Sequence, residues 1–125
     1  MKPTILYFDD EIMLLNLFKE IFCDEYEVNT ASTLAEARQL LSNHSPDVIL
    51  SDWSMPEISG IDSLREASRV RPNAFRILLT GFAHAGEMME EIRSGLIQLF
   101  IPKPWSEAEM RRALERALLA HTPRH

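Results

Sequence analysis

Five polar residues stand where apolar runs end: Asp9 and Asp10 after Thr4-Ile5-Leu6-Tyr7-Phe8, Asp52 after Val48-Ile49-Leu50, Thr80 after Phe75 to Leu79, and Lys103 after Leu96 to Ile101. A short apolar run bounded by turn residues reads as a buried strand. In an open α/β sheet, ligand chemistry gathers just outside the carboxyl ends of the strands. Three carboxylates brought together there repel one another unless a cation joins them. Oxygen donors suit a hard ion such as Mg²⁺. A carboxylate in that setting can act as a nucleophile and form an acyl phosphate. A transferring phosphoryl group then needs positive or hydrogen-bonding partners for its three oxygens. Lys103, Thr80 and nearby backbone N–H groups could supply them. Each group alone is weak: an Asp at a strand end is often only a turn former. Lys103 is more specific, as one of three lysines, set between an apolar strand and two prolines.

The elements that must carry these groups alternate along the chain. Strand one is 4–8, and helix one follows over about 11–23, with Leu15, Phe18 and Phe22 in its apolar stripe. Asp10 and Glu11 suit its first turn. Strand two (26–30) is placed near an edge. Thr33 to Glu36 form a capping box for helix two, which runs to about Asn43. Strand three ends at Asp52, and Pro56 and Gly60 mark the turn into a short helix three. Strand four is 75–79. Helix four covers about 84–94 and closes at Gly95. Strand five is 96–101. A second capping box, Ser106 to Glu109, opens helix five. Order βαβαβαβαβα with short connections predicts a parallel sheet covered by helices on both faces.

Composition narrows the partners. A formal charge of −6 argues against a broad nucleic-acid or anionic-membrane surface. The single cysteine, Cys23, lies in an apolar helical pattern and is expected to be a small buried hydrophobe. No signal peptide precedes strand one and no apolar run reaches membrane-spanning length, so the expected location is cytoplasmic. Arg111, Arg112 and Arg116 are expected on a solvated face of helix five, or paired with Glu87, Glu90 or Glu91 across a dimer.

The chain resembles the receiver domains of two-component response regulators. The resemblance rests on Ile5 to Glu11, Asp47 to Asp52 with Met55-Pro56 and Gly60, Leu78 to Gly81, and Lys103-Pro104, in that order over essentially the whole length. It implies a flavodoxin-like (βα)5 three-layer sandwich with strand order 2-1-3-4-5, filling residues 1–121 ahead of a frayed tail, 122–125. It implies a phosphorylation-dependent switch: a sensor histidine kinase or phosphotransfer protein donates a phosphoryl group to Asp52. Mg²⁺ would be held by Asp10 and Asp52, by Asp9 mainly through water, and by the Ser54 backbone carbonyl. Lys103 and Thr80 would engage the phosphoryl group, and Phe100 would act with Thr80 as the switch. A cis Lys103–Pro104 bond is expected. Catalysis would be limited to gaining and losing phosphate at Asp52. The switch would alter the helix 4–strand 5–helix 5 face, which could also form a homodimer, to control an output domain or partner.

Two departures from the commonest family pattern stand out. Phe82 and Ser54 flank the position of the hydrolytic water, and a bulky Phe82 could screen it and slow self-dephosphorylation. Phe100 lacks the hydroxyl of a tyrosine, which leaves its movement governed by packing alone. The alternative reading is a pseudo-receiver, a binding module never phosphorylated. A phosphatase with its nucleophile after strand one is disfavoured, because position 11 is Glu and the chain has little length to spare. A nucleotide- or flavin-binding site would need a glycine-rich loop that the sequence lacks.

Overall fold

A computed structural model describes residues 2–81 and 88–120. The element order is β1 (Thr4–Phe8), α1 (Ile12–Phe22), β2 (Glu27–Ala31), α2 (Leu34–Asn43), β3 (Val48–Asp52), α3 (Gly60–Val70), β4 (Phe75–Thr80), α4 (Met89–Arg93), β5 (Leu99–Pro102) and α5 (Glu107–Ala120). All strand pairs are parallel, in the order β2-β1-β3-β4-β5. This is the flavodoxin-like sheet expected from the sequence, with β2 at an edge. Its central strand, β3, is buried along its whole length, as a run covered on both faces requires.

Side chains alternate across a strand, and the two faces build separate cores. Ile5 and Tyr7, Val48 and Leu50, Ile77 and Leu79, and Ile101 face α1 and α5, meeting Leu15, Phe18, Phe22, Met110 and Leu114. Leu6, Ile49 and Leu78 face the other way, onto Leu41, Leu64, Ala67, Met88 and Ile97. Helix starts are fixed locally. Thr33 and Glu36 cap α2 reciprocally, Ser59 accepts from Asp62 N in α3, and Ser106 and Glu109 exchange bonds at the start of α5.

Several expectations are corrected. Strand five begins at Leu99, not Leu96. Gly95 turns the chain at φ +85°, and Ile97 N then bonds back to Glu91 O, so Leu96 and Ile97 finish the turn under α4. The Arg76 guanidinium holds that turn, donating to the carbonyls of Leu96, Gly95, Ala74 and Pro72. Cys23 is exposed, not buried; it caps the C-terminus of α1 through Cys23 N to Lys19 O, one position beyond the buried stripe. Glu11 is the N-cap of α1, and no acid lies in its first turn. Arg111 is not a free surface cation: it pairs with Glu25 and Glu107 and lies over the Phe22 ring. Arg112 and Arg116 are exposed. Glu91 lies 3.9 Å from Arg65. The first part of predicted helix four, with Phe82, His84 and Glu87, and the tail from 121 lie outside the described residues.

Candidate functional site

Strand alternation decides which site residues meet. Positions 5, 7 and 9, positions 48, 50 and 52, and positions 99, 101 and 103 share the parity that points toward α1 and α5. At the carboxyl edge this brings Asp9, Asp52 and Lys103 together. Lys103 Nζ donates to Asp52 Oδ1 at 3.0 Å and to Asp9 Oδ2 at 3.1 Å. It also lies 3.7 Å from Glu11 Oε1. Asp10, in the loop after β1, completes a triad with Asp9 and Asp52 whose ligand atoms lie within 4.8 Å of one another. Asp9 is wholly buried and Asp10 is exposed. The Lys103–Pro104 peptide is cis.

Asp9 is held from three directions. Tyr7 Oη donates to Oδ2 at 2.8 Å, Lys103 shares that oxygen, and Glu11 N donates to Oδ1 at 3.0 Å. The last bond also satisfies the N-cap amide of α1. Burial, with Asp9 adding its charge, pushes the Tyr7 phenol far above its ordinary range, so it stays protonated and a donor. Trp105 Nε1, aimed toward the Tyr7 hydroxyl as a hydrogen-bond donor, would oppose that shift, yet it stands outside hydrogen-bond geometry and, among the described residues, the buried nitrogen has no partner.

The electrostatics are unbalanced. Burial raises the Asp52 carboxyl above the usual carboxylate value; Lys103 opposes this, while Asp9 and Asp10 add to it. Burial alone would lower the Lys103 ammonium, but Asp52 and Asp9 outweigh it and hold the ammonium above the usual lysine value. One cation is shared among several acids. An all-oxygen donor set with surplus negative charge suits a hard divalent ion, and the acids present therefore fit Mg²⁺.

Thr80 and Phe100 have the opposite parity and look toward the α3–α4 side. Thr80 is buried, with Oγ1 donating to Gly81 O at 3.1 Å. Phe100 is half-buried, paired with Leu78 across β4 and β5, and packs on the core under α4. Ser54 is exposed in the loop after Asp52 and bridges to Ser59. Gly60 allows that loop to return: Gly60 N bonds Trp53 O at 2.7 Å, and a Cβ at Gly60 would stand 2.2 Å from Asp52 O. A cleft of about 510 Å³ opens at these groups, lined by Asp52, Lys103 and Thr80 together with Leu14, Leu17 and Trp105. Sequence reading missed the Tyr7 bond to Asp9 and the contact of Glu11 with Lys103. Residue parity along β1 was the available signal for the first.

A doubly wound parallel sheet with acids and a lysine gathered at its carboxyl edge defines the class: an α/β domain with an acidic, cation-ready site at its topological switch point. Residues 5–115 match the response regulator receiver domain, and the chain belongs to that family. It is 30% identical over 118 residues to the chemotaxis protein CheY of Thermotoga maritima, covering 93% of this chain and 98% of that one. It is 31% identical over 104 residues to the hydrogenase transcriptional regulatory protein HoxA of Cupriavidus necator, covering 83% of this chain but 22% of that protein. The chain thus spans under a quarter of the length of that longer regulator. Among solved structures, a response regulator receiver domain protein from Clostridium thermocellum superposes with a TM-score of 0.83 at 32% identity, covering 94% of each chain. Among the described residues, no helix is long and apolar enough to cross a membrane.

Proposed function

We propose that this receiver domain is a phosphorylation-dependent switch that accepts a phosphoryl group on Asp52 from the phosphohistidine of a sensor kinase or phosphotransfer protein. The observation that carries the reading is the convergence of Asp9, Asp10 and Asp52, with Lys103 bridging two of them. In the transfer, an Asp52 carboxylate oxygen forms the new P–O bond, the P–N bond to the donor imidazole breaks, and the imidazole leaves with that electron pair. Lys103 is already in hydrogen-bond contact with Asp52 and can follow the charge onto the phosphoryl oxygens. Asp10 and Asp52, with the Ser54 carbonyl, would hold Mg²⁺ directly. Asp9, buried and already engaged by three donors, would act mainly through water. A bound Mg²⁺ would neutralise the acids and the incoming phosphoryl oxygens.

Thr80 Oγ1 would leave the Gly81 carbonyl to meet the phosphoryl group, and Phe100, on the same sheet face, would repack with it. The surface affected is that of α4, β5 and α5, where Leu99, Phe100, Ala113 and Leu119 line a second cleft beside Arg112 and Arg116. That surface would engage an output domain, a partner protein or a second copy. Its own chemistry is confined to acquiring and losing phosphate. A cytoplasmic location fits this reading, as does a receiver domain that fills residues 1–121.

The alternative is an idle, purely binding pseudo-receiver, in which the Lys103 bonds to Asp9 and Asp52 only hold the strand ends together. Incubation with a small acyl phosphate and Mg²⁺, followed by intact-mass analysis, separates the two. The switch predicts one added phosphoryl group, lost in Asp52→Asn. Beryllofluoride with Mg²⁺ should also change Trp53 fluorescence. No mass change and no fluorescence change would leave only the binding module.

A further inference from the structure

Tyr7 sits in the middle of β1 with its ring packed edge-on against Phe18, centroids 5.0 Å apart. Phenylalanine would fill nearly the same volume, so packing does not account for the hydroxyl. What the hydroxyl does is donate to Asp9 Oδ2 at 2.8 Å, on the same oxygen that receives Lys103 Nζ at 3.1 Å, while Oδ1 takes Glu11 N. A carboxylate offers about four lone-pair sites, so three donors leave Asp9 little to offer a cation.

We propose that the Tyr7 hydroxyl sets the divalent-cation affinity of the Asp9–Asp10–Asp52 cluster by holding part of the Asp9 charge inside the protein. The inference rests on the reading that this cluster takes Mg²⁺. Hydrogen bonds to an ionised, buried carboxylate are stronger than neutral ones. Without metal, the Tyr7 bond relieves an anion packed beside two others. With a cation present, that anion is already compensated, and the same bond contributes less. Removing the hydroxyl therefore destabilises the metal-free state more than the metal-bound state, and binding tightens. Loss of orientation would have the opposite sign, but Glu11 N and Lys103 still hold the carboxylate, so the charge effect decides. Tyr7 is a positioning residue acting through Asp9.

The test is Mg²⁺ titration of the unphosphorylated protein at constant ionic strength, read by amide NMR shifts and tryptophan fluorescence. Wild type, Tyr7→Phe, Asp9→Asn and the double variant form a cycle. Tyr7→Phe is expected to bind Mg²⁺ more tightly by roughly threefold to tenfold, the share of a charge-assisted bond that the cation makes redundant. Its metal-free thermal midpoint is expected to fall, with the deficit closing as Mg²⁺ is added. In the Asp9→Asn background the Tyr7→Phe effect on affinity is expected to shrink to less than about twofold. Equal or weaker binding by Tyr7→Phe, an undiminished shift in the Asp9→Asn background, or no saturable Mg²⁺ response in wild type would overturn the inference. If Tyr7→Phe folds only with Mg²⁺ and not with K⁺ at the same ionic strength, the proposal stands; if neither ion folds it, the proposal fails. Phosphate uptake is scored separately. A protein that shows the shift but never labels Asp52 keeps the inference and loses the switch, and one that labels without the shift does the reverse.

Discussion

Replacing Lys103 by methionine removes the one ammonium in contact with Asp9, Asp52 and Glu11 while keeping the length and apolar stem of the side chain. Each close contact, at 3.0 Å and 3.1 Å, is worth roughly 5 kcal/mol of attraction at an effective dielectric constant of about 20. Desolvating the ammonium cancels much of that, because the Lys103 side chain is only 18% exposed. Removing one partner of a buried pair typically costs about 3–5 kcal/mol. Partial access to water places Lys103→Met near the lower end, about 3 kcal/mol. For a domain of this size that corresponds to a fall of roughly 10 °C in Tm. The cost must depend on pH. The folded-state Asp52 carboxyl lies above its ordinary value, burial being the main cause and Lys103 an opposing one. Such a group contributes stability that is present at low pH and is lost as pH rises through its folded value. Without Lys103 that value moves further up, and the loss is larger. The gap between wild type and Lys103→Met should therefore be widest near neutral pH and should narrow as pH falls and Asp52 protonates. Urea melts across that range measure it directly. A variant as stable as wild type at pH 7, or a gap unchanged with pH, refutes the electrostatic account of the site.

Two further perturbations test how the site is held. Gly60→Ala would force a methyl carbon to 2.2 Å from Asp52 O, 2.7 Å from Leu78 Cδ1 and 2.9 Å from Trp53 Cα. Backbone cannot yield there cheaply, so the variant should lose at least about 2 kcal/mol and weaken Mg²⁺ binding; Gly81→Ala, with no atom of the described residues within 4 Å, serves as the tolerant control in the same chemical melts. Arg76→Leu strands four carbonyls around the β5 approach and should cost about 2 kcal/mol, with amide exchange accelerated at Ile97 and Gln98 but not in β1.

The strand ends were readable because largely apolar runs of three to six residues stopped at polar ones, and the alternation with helices left little topological freedom. Asp9, Asp52 and Lys103 could be placed together from strand parity alone. Patterning failed where an apolar residue serves a turn instead of a sheet. Leu96 and Ile97 look like strand, but Gly95 reverses the chain and Arg76 binds the carbonyls on either side of the bend. Composition says nothing of direction either. Ile12 and Leu17 in α1 are about half exposed, while Tyr7, read as a β-former, places its one polar atom on the key acid. Cys23 shows the same limit: an apolar pattern continues one residue past the helix that produced it.

The joint between β3 and α3 has a mechanical consequence. Trp53 N is tied to Leu79 O, Gly60 N to Trp53 O, and no room remains there for even one carbon atom. Asp52, the loop behind it and the first turn of α3 therefore travel as one stiff bracket. If Asp52 takes a phosphoryl group as proposed, the resulting displacement would have to be taken up at Thr80 and Phe100, near the carboxyl ends of β4 and β5, because the bracket leaves no slack on the α3 side.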